Sequence, residues 1–299
     1  MTTELGTTTE LGTTPVTTTD APFSQVLTLT ELAPTIPDTG RYLGTIGKTW
    51  TIGKKVHGGT MVAASASAGL KWLRTADPAL AGMAPIVAGS DFLGAPDPGD
   101  VEYEVHIRKI GRQICLADVN LIQNGRTLVR TALTFGHLDD AEPLFAREHS
   151  DMPVEPPADA VGYEPGSPMG RIVHVGQAAE LYLDREWARF LDGETAEPRL
   201  RLWMRPRPAD EQDPDVAMFF AMMATDISPP VPYNLGHYGW SPTVQMVSFL
   251  RRKPAPGWLR VIATTHEVGG RMFDEDQLVL DATGAVVAQS RQLALIPQR

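Results

Sequence analysis

The residues best placed for chemistry are few. His57-Gly58-Gly59 stands at the head of an apolar helical stretch, and free backbone N–H groups at a helix start favour negative charge, including a carbonyl oxygen becoming an oxyanion. Arg251-Arg252-Lys253 is a short basic run in an acidic chain, suited to a phosphate or simply to solvent. Cys115 is the only cysteine, so no intrachain disulfide forms, and its place in a strand pattern marks it as a small buried hydrophobe. No Cys/His spacing suggests zinc, and neither a Gly-x-Ser-x-Gly elbow nor a phosphate-cradling Gly-x-x-x-x-Gly-Lys loop occurs. No metal or redox cofactor is therefore expected.

The elements that must position these residues come in two copies. Phe92-Leu93, Pro96-Asp97-Pro98-Gly99, Gly111-Arg112 and Asn124-Gly125 lead to a closing apolar strand. Phe249-Leu250, Pro254-Ala255-Pro256-Gly257, Gly270-Arg271 and Thr283-Gly284 do so again. The glycine-to-glycine step is 14 residues in both. A helix precedes each copy, so the pattern is a duplicated helix-then-meander unit of α+β class.

Composition bounds the rest. With 299 residues, 42% hydrophobic and 21% charged, the chain is an ordinary globular protein with room for two small domains. A net charge of -10 argues against a nucleic-acid surface. No apolar run reaches the roughly 20 residues of a membrane span. A basic-then-apolar leader pattern is lacking, which points to the cytoplasm. The segment TTELGTT occurs at Thr2–Thr8 and again at Thr8–Thr14, so residues 1–22 read as a disordered Thr-rich tail.

Order is expected from about Phe23, with a strand suggested by Leu27 and Leu29. The first unit covers 23–137, with a helix from His57 to about Arg74 too apolar and too rich in Ala and Ser for a surface position. Residues 138–169 are acidic and Pro-rich and read as a surface linker. The second unit covers 170–299. Asp213-Pro214 opens its helix through Met218, Phe219, Phe220, Met222 and Met223, and strands follow at 243–251, 258–266, 271–280 and 286–295.

His57-Gly58-Gly59, Phe92-Leu93 with its Pro-x-Pro-Gly, and the ending Ser290-Arg291-Gln292-Leu293-Ala294 resemble the acyl-CoA thioesterases of the double hot-dog, thioesterase II-like family. The resemblance covers roughly residues 23–299. It implies a double hot-dog fold, with two antiparallel sheets each wrapped around a long apolar helix. It also implies hydrolysis of an acyl-CoA thioester, and a homo-oligomer. The phosphates of coenzyme A would be one use for Arg251-Arg252-Lys253.

In that family an Asp, a Thr and a Gln of the second unit orient a water. Position by position the resemblance places the Thr on Thr265 and the Gln on Gln292, and the Asp position falls on Gln245. The first unit has Leu133 in place of Gln292, and Ile107 or His106 in place of Thr265. An amide at 245 cannot accept the water's proton, although it can hold a water or polarise the thioester. Two carboxylates could substitute: Glu267, two residues beyond Thr265, and Asp226 at the end of the second helix. His57, Gly58 and Gly59 would bind substrate through the helix start, but His57–Arg74 holds no acid of its own. Failing a base, the alternative is a protein that binds acyl-CoA without cleaving it. A one-residue slip in the strand of Gln245 would turn it to the other face.

Overall fold

The two apolar runs form the two central helices, α1 (Gly58–Ala76) and α2 (Pro214–Met223). Ala and Ser along α1 let neighbours close in on every side. At Gly69 a Cβ would lie only 2.4 Å from a Leu133 methyl. The structure, a computed structural model, describes residues 20–149 and 151–297. The repeated Thr-rich segment lies outside the described residues.

In the first half the strands are β1 (Thr39–Ile46), β2 (Ala84–Phe92), β3 (Gly99–Lys109), β4 (Cys115–Gln123) and β5 (Arg126–Gly136). In the second they are β6 (Glu180–Leu183), β7 (Leu200–Arg205), β8 (Thr243–Leu250), β9 (Leu259–Thr264), β10 (Met272–Leu280) and β11 (Val286–Leu295). Asn124 and Gly125, both at positive φ (52 and 72), make the β4–β5 hairpin turn that an Asn-Gly pair favours.

The expectation of two separate sheets is corrected. Among the described residues the order is β1-β3-β4-β5-β2-β8-β11-β10-β9-β7-β6, flanked by two-residue strands at Thr30–Glu31 and Val161–Gly162, in a single antiparallel sheet. The seam is the β2–β8 pairing, with Ser90 opposite Met246 and Ala88 opposite Ser248. Pairing these two strands removes two exposed edges, one from each half. One curved sheet thus wraps around two helices packed on each other.

The duplication is present in the ladder, with one shift. Ala88 pairs with Leu133 as Met246 pairs with Gln292, so Leu133 and Gln292 are counterparts. By the same register Phe92, opposite Val129, corresponds to Leu250, opposite Ala288, and not to Phe249. The two Phe-Leu pairs therefore differ by one residue. Phe92 packs against the core, whereas Phe249 faces outward and is 41% exposed.

Two connecting segments also differ from expectation. Of the strand suggested at Leu27 and Leu29 only Thr30, together with its neighbour Glu31, is extended in the sheet. Pro22–Val26 before it is a short helix whose Phe23 and Ser24 N–H groups donate to the buried carboxylate of Asp210 at 2.9 and 2.8 Å. Phe23 is thereby seated against Trp50 and Phe220. The Pro-rich stretch after Gly136 does more than cross the surface. Met152 is buried with Trp203, Ile262 and Leu280, and Trp203 Nε1 donates to the Pro153 carbonyl at 2.9 Å. That stretch is a strap across the outer face of the second half.

Candidate active site

The two helices run antiparallel, as their junctions show: the end of each meets the start of the other. At one junction Arg74, in the last turn of α1, pairs with Asp215 in the first turn of α2 at 3.1 Å, and Lys253 joins at 2.9 Å. These groups are about half exposed. At the other junction Asp226, just beyond α2, reaches the first turn of α1, where its Oδ2 accepts a hydrogen bond from Gly59 N–H at 2.7 Å. The Asp226 side chain is 9% exposed. The acid that α1 lacks in its own sequence is thus delivered by the other half of the chain.

Glycine is required at this junction. A Cβ on Gly59 would lie 2.2 Å from the Met223 carbonyl oxygen, and one on Gly58 2.4 Å from Asp226 Oδ2. His57 caps α1, its Nδ1 accepting from Thr60 N–H at 3.3 Å. Its Nε2–H donates to the Asp226 main-chain carbonyl at 2.9 Å. Burial holds the imidazole neutral, with its pKa lowered to about 4. With both nitrogens engaged, His57 is a strut between the halves. Burial pushes the Asp226 carboxyl the other way, up to about 7, against the opposing effect of the Gly59 hydrogen bond.

A second buried carboxyl lies close by. Glu275 faces inward from β10 and is 1% exposed. Its Oε1 accepts from Ser228 Oγ at 2.6 Å, Gln277 Nε2 at 2.8 Å and Gln292 Nε2 at 3.3 Å, and its Oε2 from Val231 N–H at 3.1 Å. Burial raises it to about 7 as well, with the negative charge of Asp226 adding to the rise. Gln292, 7% exposed, continues the chain: its Oε1 accepts from Thr243 Oγ1 at 2.7 Å.

The three residues expected to act together are not brought together. Gln292 faces inward. Gln245 pairs with Leu293, the neighbour of Gln292, so it lies on the opposite face, where its Nε2 donates to Asp91 at 2.8 Å. A bulge between Thr243 and Gln245 separates them in phase, leaving Thr243 opposite the buried Ala294 and next to Gln292. Thr265 lies past the end of β9, and its hydroxyl turns to Asp274 (3.3 Å) and the Glu267 carbonyl (3.2 Å). Glu267 is exposed. Of the two substitute carboxylates, Asp226 is the one in the interior. Gly58 and Gly59 sit at this junction as expected, but Gly59 N–H is occupied by Asp226.

The basic run does not reach this place. Lys253 belongs to the Arg74–Asp215 junction, roughly 15 Å away along α2. The Met and Phe side chains of α2 are core. Thr243 and Glu275 were missed in sequence. Glu275 had a signal: it shares the alternation phase of Phe273 and Val279, which places an acid on the buried side of a strand.

The sheet around paired helices, with the buried carboxyls of the described residues all in the second half, defines a hot-dog protein with one furnished site. The acyl-CoA thioesterase family matches the chain in two parts, its N-terminal domain over residues 46–136 and its C-terminal domain over residues 148–296. The chain belongs to that family. An uncharacterized protein of Mycobacterium tuberculosis (strain H37Rv) is 39% identical over 274 residues, covering 85% of this chain and 90% of that protein. Among solved structures, a candidate thioesterase II from Thermobifida fusca YX aligns with a TM-score of 0.77 and 24% identity over 96% of this chain and 100% of its own. A hot-dog protein of unknown function from Alicyclobacillus acidocaldarius aligns at 0.73 and 18%, over 93% and 98%. An acyl-CoA thioesterase II from Mycobacterium marinum aligns at 0.67 and 17%, over 93% and 98%.

Proposed function

We propose that the protein hydrolyses the thioester of a fatty acyl-CoA to free acid and CoA at the helix junction, with Asp226 as general base and Thr243 and Gln292 positioning the water. The observation that carries this is the buried Asp226 carboxylate held 2.7 Å from Gly59 N–H, in a family of acyl-CoA thioesterases. Burial raises its proton affinity toward neutrality, where a carboxylate is a competent base instead of a weak one.

The step balances simply. Water oxygen bonds to the thioester carbon as a proton passes to Asp226. The tetrahedral oxyanion lies by the positive end of α1 at Gly58. Its collapse breaks the C–S bond, and the proton on Asp226 goes to the departing thiolate. Thr243, whose own proton is directed to Gln292, offers its oxygen as acceptor to the water's second hydrogen. Cytoplasmic placement and a homo-oligomer complete the proposal; among the described residues no helix is long and apolar enough to cross a membrane.

The test is thiol release from acyl-CoAs of short to long chain, with free acid measured in parallel. Equal amounts of thiol and acid, depending on Asp226, support hydrolysis. Saturable binding of an acyl-CoA with no thiol released would contradict it and leave a binding protein.

A further inference from the structure

Glu275 is not among the residues that the family resemblance supplies, yet it is the most heavily hydrogen-bonded buried acid beside the site. The ladder shows what the first half carries in its place. Ala117 pairs with Leu133 as Glu275 pairs with Gln292, so the buried apolar pair Ala117–Leu133 of one half is the polar pair Glu275–Gln292 of the other. Two facing positions differ together, which ties Glu275 to Gln292 and not to the general packing of the fold.

The hydrogen bonds define its task. Four donors converge on it: a hydroxyl, a main-chain N–H and two side-chain amides. A group that accepts at both oxygens and brings no hydrogen of its own meets all four best, which is the carboxylate form. With Glu275 ionised, Gln292 must turn its NH₂ toward β10, and its carbonyl oxygen then faces Thr243. Thr243 in turn must donate to that oxygen, which leaves its lone pairs free. Reversing the amide would set its oxygen against a carboxylate and its NH₂ against the hydroxyl hydrogen.

We infer that Glu275 is a positioning residue for thioester hydrolysis: as a carboxylate it orients the Gln292 amide and, through it, the Thr243 hydroxyl, without touching the substrate. This rests on the hydrolysis proposed above. The titratable group acting on Glu275 is Asp226, from the turn after α2, and His57 of the α1 cap faces Asp226 in turn. Ser228, Gln277 and Gln292 are uncharged. The negative charge of Asp226 raises the pKa of Glu275, so both carboxyls must lose their protons before the site is complete.

The experiment is steady-state thiol release across pH for wild type, Glu275→Gln, Gln292→Ala and the double variant, with thermal melting of each. Glu275→Gln is expected to lower kcat about 10- to 100-fold with KM within about threefold. It should also make the acid limb of the kcat profile less steep, since Asp226 alone then titrates, and add little further loss to Gln292→Ala. Unchanged kcat and acid limb, or a full additional loss in the Gln292→Ala background, would overturn the inference. Should Glu275→Gln fail to fold, Glu275→Asp keeps the charge and shortens the reach. A lowered kcat with the acid limb in place then supports the inference, and wild-type kcat overturns it. Asp226→Asn separates the two proposals: full activity there removes the hydrolysis site itself, whatever Glu275 does.

Discussion

Gly59 N–H, in the first turn of α1, donates a 2.7 Å hydrogen bond to the carboxylate of Asp226, which is 167 residues away and just beyond α2. One half of the duplication supplies the helix start and the other supplies the acid. The equivalent meeting at the other end of the helix pair is a half-exposed Arg74–Asp215 ion pair. Near-symmetric junctions have thus diverged, one into a surface contact and the other into a buried carboxylate.

Close approach at the buried junction depends on the two glycines. Gly59→Ala is expected to destabilise by about 1–3 kcal/mol, since its Cβ would lie 2.2 Å from the Met223 carbonyl oxygen and backbone cannot yield as a side chain can. Gly58→Ala meets the Asp226 side chain at 2.4 Å, so it should cost less stability and more activity. Denaturant midpoints and kcat for both variants check this. Equal effects on both quantities would contradict it.

Activity should fall with acid in a window set by Asp226. A base whose pKa is raised from 3.8 to about 7 loses its carboxylate below neutrality. So kcat should drop by at least about tenfold per pH unit below about pH 6, and more steeply as Glu275 also takes up a proton. An ordinary carboxylate would hold full activity down to about pH 5. A rate profile between pH 5 and 9 distinguishes the two.

The same displacement has a stability consequence, and its sign is opposite to that of a salt-bridged acid. Between pH 4 and 7 the folded state keeps the Asp226 proton that the unfolded chain releases, so folding becomes less favourable as pH rises through that window. Glu275 acts in the same direction. His57, lowered from 6.5 to about 4, opposes them, since the unfolded chain binds its proton first as pH falls. Asp226→Asn removes the first contribution, relieves Glu275 of the nearby negative charge and still accepts from Gly59. Its Tm should exceed wild type by several degrees at pH 8 and match it at pH 4. A lower Tm at pH 8 would contradict the burial argument.

Side chains on the two faces of the sheet should respond differently. Thr243→Val and Gln292→Ala are expected to reduce kcat about 10²-fold, whereas Gln245→Ala and Thr265→Ala stay within about twofold of wild type. Gln245→Asp should bring no gain, because it would set a carboxylate against Asp91 on the outer face. Thiol release by the five variants decides the matter.

Much of the fold was legible in the chain because helix and strand periods survive duplication. The β10 and β11 strands, α1 and the Asn124-Gly125 turn fall where residue types place them. The β2–β8 seam was not legible, since pairing between halves leaves no local mark. The candidate site was legible in part. Gln292 lies inward beside Glu275, and Asp226 was visible as an acid closing an apolar helix. Thr243 was hidden by a bulge, because one extra residue moves it out of phase with Gln245 and nothing in Thr243-Val244-Gln245 announces it. Thr265 was lost for a similar reason: β9 ends at Thr264, and the hydroxyl turns outward to Asp274.

The central claim is that Asp226 is the base for thioester hydrolysis, and kcat for acyl-CoA hydrolysis by Asp226→Asn at pH 8, beside wild type and with folding checked by melting, tests it most directly. The expected variant is stable, still binds acyl-CoA and has lost 10²-fold or more in kcat. A stable variant retaining wild-type kcat would contradict it.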